Sequence, residues 1–116
     1  MSEITIYQKP TCSTCRMVIK LVEESGQPFT AINYYEKPFS KSKLKGLLKK
    51  AGLKSSDVIR RNEDLYKRLN LAQSLFTDDE LLDILVKQPD LIQRPLVQKG
   101  HHVILARPPE TVKQLL

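Results

Sequence analysis

Apolar and polar residues alternate over Ile4-Thr5-Ile6-Tyr7, the period of a strand with one buried face. The period then changes. Val18, Leu21 and Val22 share one face of a helix that runs to about Glu24, and Gly26 stops it. Thr11 to Cys15 forms the loop and the start of that helix. Alternation and aromatic content return over Phe29-Thr30-Ala31-Ile32-Asn33-Tyr34, which predicts a second strand. A strand, a helix and a second strand within about 30 residues make a βαβ unit with parallel strands.

Helical periods fill the middle of the chain. Ser40 caps a helix whose Leu44, Leu47, Leu48 and Ala51 fall at i, i+3, i+4 and i+7, and Gly52 closes it. Short helical pieces are expected over Ser56–Ile59 and Asn62–Leu69. Thr77-Asp78-Asp79-Glu80 is a capping box. It opens a helix carrying Leu81, Leu82, Ile84 and Leu85 that ends before Pro89. In the last third, Leu96-Val97 and Val103-Ile104-Leu105 are short strands, and Gln98-Lys99-Gly100-His101 between them reads as a hairpin turn. Pro108 and Pro109 begin a final helix over Glu110–Leu116.

The order is β-α-β, several helices, then β-β-α, with a C-x-x-C (Cys12-Ser13-Thr14-Cys15) directly after the first strand. This predicts an α/β chain of thioredoxin-like fold with a helical insertion between its βαβ and ββα halves. Residues 1–116 form a single domain. The thioredoxin-like core is expected over about 1–38 and 91–116, with the insert over about 39–90. Such a fold needs a proline just before its third strand, facing the active-site cysteine, and Arg94-Pro95 is in that place. The cis penalty of an X-Pro bond is small enough to allow a cis bond there.

Composition adds bounds. Hydrophobic residues at 41% and charged residues at 28% describe an ordinary globular chain. No apolar run approaches the roughly 20 residues of a membrane span. The start, Met1-Ser2-Glu3, leads straight into a strand with no signal-peptide pattern, so the expected compartment is the reducing cytoplasm. Nineteen Lys and Arg against thirteen Asp and Glu give a net charge of +6. Much of the excess is lysine on one helix (Lys41, Lys43, Lys45, Lys49, Lys50), which reads as a solvated face. No recognition motif or aromatic platform accompanies it, so nucleic acid is not expected as a partner.

The candidate chemistry centres on Cys12. A helix N-terminus carries about half a positive charge and unpaired N–H groups, which favour a thiolate and also a bound anion. Cys15 lies about one helical turn on, within reach for a disulfide. Lys9 and Arg16 flank the motif. A zinc site from Cys12, Cys15, His101 and His102 has suitable ligand types. Adjacent histidines in a strand point to opposite faces, however, which argues against it, and no metal is expected. Three arginines stand out by setting: Arg60 in Val58-Ile59-Arg60-Arg61-Asn62, Arg94 before Pro95, and Arg107 before Pro108. Arginine offers a fixed fork of donors that matches tetrahedral oxyanions. Arginines converging beside a thiolate would hold an anion while sulfur attacks its central atom.

These segments resemble the ArsC-type arsenate reductases of the thioredoxin superfamily across nearly the whole chain. The matching pieces are Ile4-Thr5-Ile6-Tyr7, Pro10-Thr11-Cys12, Arg60-Arg61-Asn62, Leu69-Asn70-Leu71, Phe76-Thr77-Asp78-Asp79, Arg94-Pro95 and Arg107-Pro108. The chain is most similar to short reductase-like members that end soon after Arg107-Pro108-Pro109-Glu110. The resemblance implies Cys12 as nucleophile, and Arg60, Arg94 and Arg107 as the oxyanion-binding arginines. It implies reduction of arsenate to arsenite with glutathione as co-substrate and no bound cofactor, the enzyme being recycled by glutaredoxin. A Cys12–Cys15 disulfide reduced by thioredoxin or glutaredoxin is the alternative recycling route.

Two positions depart from the family pattern. The histidine that helps lower the nucleophile's pKa, four residues before it, is here Gln8, which cannot carry charge. The residue three after the nucleophile, often serine, is here Cys15, which suggests a different route of reduction. The C-x-x-C is also similar to that of Spx-type regulators, which bind RNA polymerase and sense oxidation through that disulfide. Arginine at both other family positions favours the reductase. A general thiol oxidoreductase acting on protein disulfides is the third reading.

Overall fold

The computed structural model describes residues 3–61, 63–69, 71 and 76–116. Strands β1 (Ile4–Gln8) and β2 (Phe29–Asn33) flank helix α1 (Ser13–Glu24). Helices α2 (Lys41–Ala51), α3 (Asp64–Arg68) and α4 (Asp78–Lys87) follow, with 3₁₀ turns over Ser55–Val58 and Pro89–Leu91. The chain ends in β3 (Leu96–Lys99), β4 (His102–Leu105) and a 3₁₀ helix over Pro109–Leu115. The chain falls into two units, Met1–Lys37 with Arg94–Leu116, and Pro38–Gln93.

The first unit is the thioredoxin-like sheet, in the order β2-β1-β3-β4. β1 and β2 run parallel, with Ile4 opposite Phe29 and Gln8 opposite Asn33. β3 runs antiparallel to β1, with Tyr7 opposite Leu96, and β4 antiparallel to β3, with Leu96 opposite Leu105. This register decides where the chemistry sits. The segments after β1, after β2, before β3 and after β4 all leave the sheet at one edge.

Alternation along β1 sends Ile4 and Ile6 to one face, and both are fully buried. They pack with Val18 and Val22 of α1, Val97 of β3, and Val112 of the terminal 3₁₀ helix. Burying each such side chain contributes about 1.5–3 kcal/mol relative to exposure. Val112 is held in place by polar contacts as well. Lys99 Nζ donates to Gln27 Oε1 at 2.8 Å and to the Leu115 carbonyl at 3.0 Å, and Gln27 Nε2 donates to the Leu116 carbonyl at 3.2 Å. The terminal segment was expected as an α-helix over Glu110–Leu116. It forms 3₁₀ turns instead, and inward residues three apart (Val112, Leu115) satisfy either geometry.

Helix ends in the second unit follow their sequence signals. Ser40 Oγ accepts the Lys43 N–H, and Gly52 ends α2 in the left-handed region with φ of 70°. The Thr77 capping box is reciprocal: Thr77 Oγ1 accepts the Glu80 N–H, and Glu80 Oε1 accepts the Thr77 N–H. Leu44, Leu47, Leu82 and Leu85 are buried. The short pieces shift from their expected bounds. Ile59 leaves the 3₁₀ turn to bridge Ile92, and α3 begins at Asp64; Asn62 lies outside the described residues. Asn70, part of a matching segment, also lies outside them.

Gly46 sits inside α2 without a packing reason, since a Cβ added there meets nothing within 4 Å. Gly46→Ala is therefore expected to stabilise the protein by about 0.5–1 kcal/mol, through helix propensity alone. A urea titration checks this: the midpoint should rise at unchanged slope, and an unchanged or lower midpoint would contradict it.

Candidate active site

Four segments meet at the edge of the sheet. The turn after β1 closes through the Cys12 N–H to the Lys9 carbonyl at 3.0 Å, and Cys12 becomes the N-cap of α1. No acidic residue lies in the first turn of α1, so the helix dipole faces the sulfur unopposed. The Cys12 side chain makes no capping hydrogen bond of good geometry, while the Cys15 backbone N–H is among the groups that lower its thiol.

Partial burial pushes the Cys12 thiol up. Hydrogen bonding from the Cys15 backbone, the Cys15 thiol and the Arg94 guanidinium outweighs it, and Cys12 lies below an ordinary thiol. Cys15 goes the other way. It is fully buried, and that burial, with the Cys12 sulfur beside it, pushes its thiol up to about 12. The two cysteines are thus unequal: the Cys12 thiol is lowered, and the buried Cys15 thiol beside it is raised.

Arg94 comes from the segment before β3, and its peptide bond to Pro95 is cis, the isomer the sequence allowed there. Only 5% of Arg94 is exposed. Burial pushes its guanidinium down, but the phenol oxygens of Tyr34 and Tyr35 and the Cys12 sulfur more than restore it. Arg107 follows β4 and precedes a second cis proline, Pro108, which was not anticipated. Its Nη1 donates to the Arg94 carbonyl at 3.1 Å, so the two arginines are linked through the main chain.

The structure therefore gathers Cys12, Cys15, Arg94 and Arg107 into one unit and one sheet edge. Arg60 belongs to the other unit, where its Nε pairs with Glu63 Oε1 at 3.1 Å and its N–H donates to the Leu91 carbonyl at 2.7 Å. Lys9 does not act as a bare cation beside the cysteine; its Nζ lies 4.9 Å from the centre of the Tyr35 ring. Gln8 ends β1 and is 8% exposed, with no partner for its Oε1 among the described residues. His101 lies in the turn between β3 and β4 and His102 begins β4, and both are exposed. Among the described residues no three of His, Cys, Asp and Glu stand together as a metal would need.

Tyr34 is the residue that sequence reasoning missed. It was placed at the end of the second strand, whereas β2 ends at Asn33 and Tyr34 enters the turn beyond it. Its hydroxyl lies 3.4 Å from Arg94 Nη1. The signal was available, because parallel strands deliver their C-terminal ends to the same edge, where ligands of α/β sheets collect.

Comparison with known proteins bears on the family and the fold. Residues 7–115 match the ArsC family. An arsenate reductase of Escherichia coli is 39% identical over 116 residues, covering 100% of this chain and 82% of its own length. An uncharacterized protein of the same species, YfgD, is 36% identical over 115 residues, covering 98% of this chain and 97% of its own. A solved arsenate reductase from Vibrio cholerae superposes with a TM-score of 0.93 at 36% identity, over 99% of this chain and 98% of that one. Sequence match and fold agree, and the chain belongs to the ArsC family.

Proposed function

We propose that this chain is a thiol-dependent arsenate reductase in which Cys12 is the nucleophile. The carrying observation is the pairing of a lowered Cys12 thiol with the buried guanidinium of Arg94 at a helix N-terminus. The same donors that favour the thiolate favour a tetrahedral oxyanion beside it. Arg94 and Arg107 orient the arsenate oxygens; the family resemblance assigns Arg60 the same role. The Cys12 sulfur attacks arsenic, an S–As bond forms, and one As–O bond breaks with loss of water.

Two recycling routes then diverge. By resemblance, glutathione attacks the adduct and glutaredoxin resolves the mixed disulfide. The Cys12–Cys15 contact supports an internal route. Once Cys12 is bonded to arsenic its negative charge is gone, and one of the causes holding the Cys15 proton is removed. The Cys15 sulfur attacks the Cys12 sulfur, the S–As electron pair stays on arsenic, and its proton passes to an arsenite oxygen. Arsenic gains two electrons and the cysteines become a disulfide, which thioredoxin or glutaredoxin reduces.

A coupled arsenate-reduction assay tests both levels. Cys15→Ser is expected to lower turnover by about tenfold or more with thioredoxin as reductant. Full turnover of Cys15→Ser with glutathione and glutaredoxin would rule out an essential resolving role. The same dithiol contact also suits a redox-sensing regulator, and retention of the RNA polymerase α subunit in a pull-down would favour that reading instead.

A further inference from the structure

We propose that Tyr34 is a positioning residue for the Cys12 centre: its buried hydroxyl, 3.4 Å from Arg94 Nη1, aims the guanidinium at the thiol. Tyr34 is 1% exposed, and a buried phenol is expected to spend its hydroxyl on a partner. Its own backbone is fixed. Asn33 Oδ1 accepts the Tyr35 N–H at 2.9 Å, and the Asn33 carbonyl accepts the N–H groups of Glu36 and Lys37. The hydroxyl is thus held by a turn anchored to the sheet, while Arg94 sits on a five-bond flexible arm.

The chemistry of the partner matters. A phenol oxygen accepts from a guanidinium without neutralising it, so Arg94 keeps its full charge for sulfur and substrate. A carboxylate would cancel part of that charge, as Glu63 does for Arg60. The contact extends further. The Tyr34 and Tyr35 rings lie 5.1 Å apart, Lys9 Nζ sits over Tyr35, and the Lys9 carbonyl accepts the Cys12 N–H. Contacts therefore run from Cys12 through Arg94, Tyr34, Tyr35 and Lys9 back to Cys12. The charged and titratable groups of this circuit are Cys12, Cys15, Arg94, Lys9 and the two tyrosines, with Arg107 bonded to the Arg94 carbonyl. Gln8 carries no charge, and within this circuit Arg94 is the cation that lowers the Cys12 thiol.

The role in holding arsenate rests on the reductase reading, but the role toward Cys12 can be measured without arsenate. In Tyr34→Phe, the rate of Cys12 alkylation by iodoacetamide, followed against pH, should show its acid limb displaced upward by about half a pKa unit. Below the parental pKa this is a roughly threefold slower rate. The effect is modest because 3.4 Å is a long hydrogen bond. KM for arsenate should rise more than kcat falls. In an Arg94→Ala background, Tyr34→Phe should add no further displacement, because Tyr34 acts through Arg94. An unchanged titration in a folded Tyr34→Phe protein, or a displacement that adds in full to that of Arg94→Ala, would overturn the proposal. Absence of arsenate turnover in the parent protein, with the titration behaving as described, would sink the reductase reading and leave Tyr34 in place.

Discussion

Cys12→Ser is expected to lose arsenate reduction by about 10⁴-fold or more, because no other group here can replace the nucleophile. A serine hydroxyl is a far weaker acid and nucleophile than a thiol, and the Cys12 thiol lies below its ordinary value. Cys15 cannot substitute, since it is fully buried and its thiol is pushed up to about 12. The change is nearly isosteric and Cys12 is only half-buried, so the urea midpoint should stay close to the parent's. A stable Cys12→Ser protein that still turned over arsenate at a tenth of the parental rate would end the proposed mechanism.

Arg94→Ala should lower kcat/KM for arsenate by about 10²–10³-fold, the usual cost of removing a charged donor from an oxyanion site. It also changes the pH profile in a definite direction. Arg94 lowers the Cys12 pKa both by hydrogen bond and by charge. Removing it raises that pKa, so the acid limb of the activity profile moves to higher pH, and the relative loss is greatest in acid. Stability falls as well, because the Tyr34 hydroxyl and the Cys12 sulfur lose a buried partner. The assay therefore belongs at a temperature where the variant is shown to be folded. A general thiol oxidoreductase would behave otherwise: Arg94→Ala would then leave its activity unchanged.

Much of this site could be read from the chain itself. The strand–loop–helix pattern around Cys12 is local, so alternation, the C-x-x-C and the stop at Gly26 placed Cys12 at the entry of α1. Arg94 was legible because it precedes the proline that the fold requires. What escaped was set by pairing between distant segments. Tyr34 looks like a core residue of a strand until the parallel register of β1 and β2 sends both strand ends to one edge. The link from Arg107 to the Arg94 carbonyl depends in the same way on β4 lying beside β3. At the other extreme, Leu96–Lys99 and His102–Leu105 form longer strands than their apolar residues suggested, because backbone pairing carries polar Gln98, Lys99 and His102 into the ladder.

The full burial of Cys15 bears on how the protein ages under oxidative stress. A thiolate at a surface is the first target of peroxide and becomes a sulfenic acid, which a second oxidant molecule converts irreversibly to the sulfinic form. Here a second sulfur lies directly beneath, sheltered from the oxidant yet in contact with the oxidised one. Condensation to a disulfide with loss of water is expected to divert Cys12 from the irreversible branch. Mass spectrometry of peroxide-treated protein should find the internal disulfide in the parent and sulfinic Cys12 in Cys15→Ser. Equal sulfinic yields in the two would show that the buried thiol gives no such shelter.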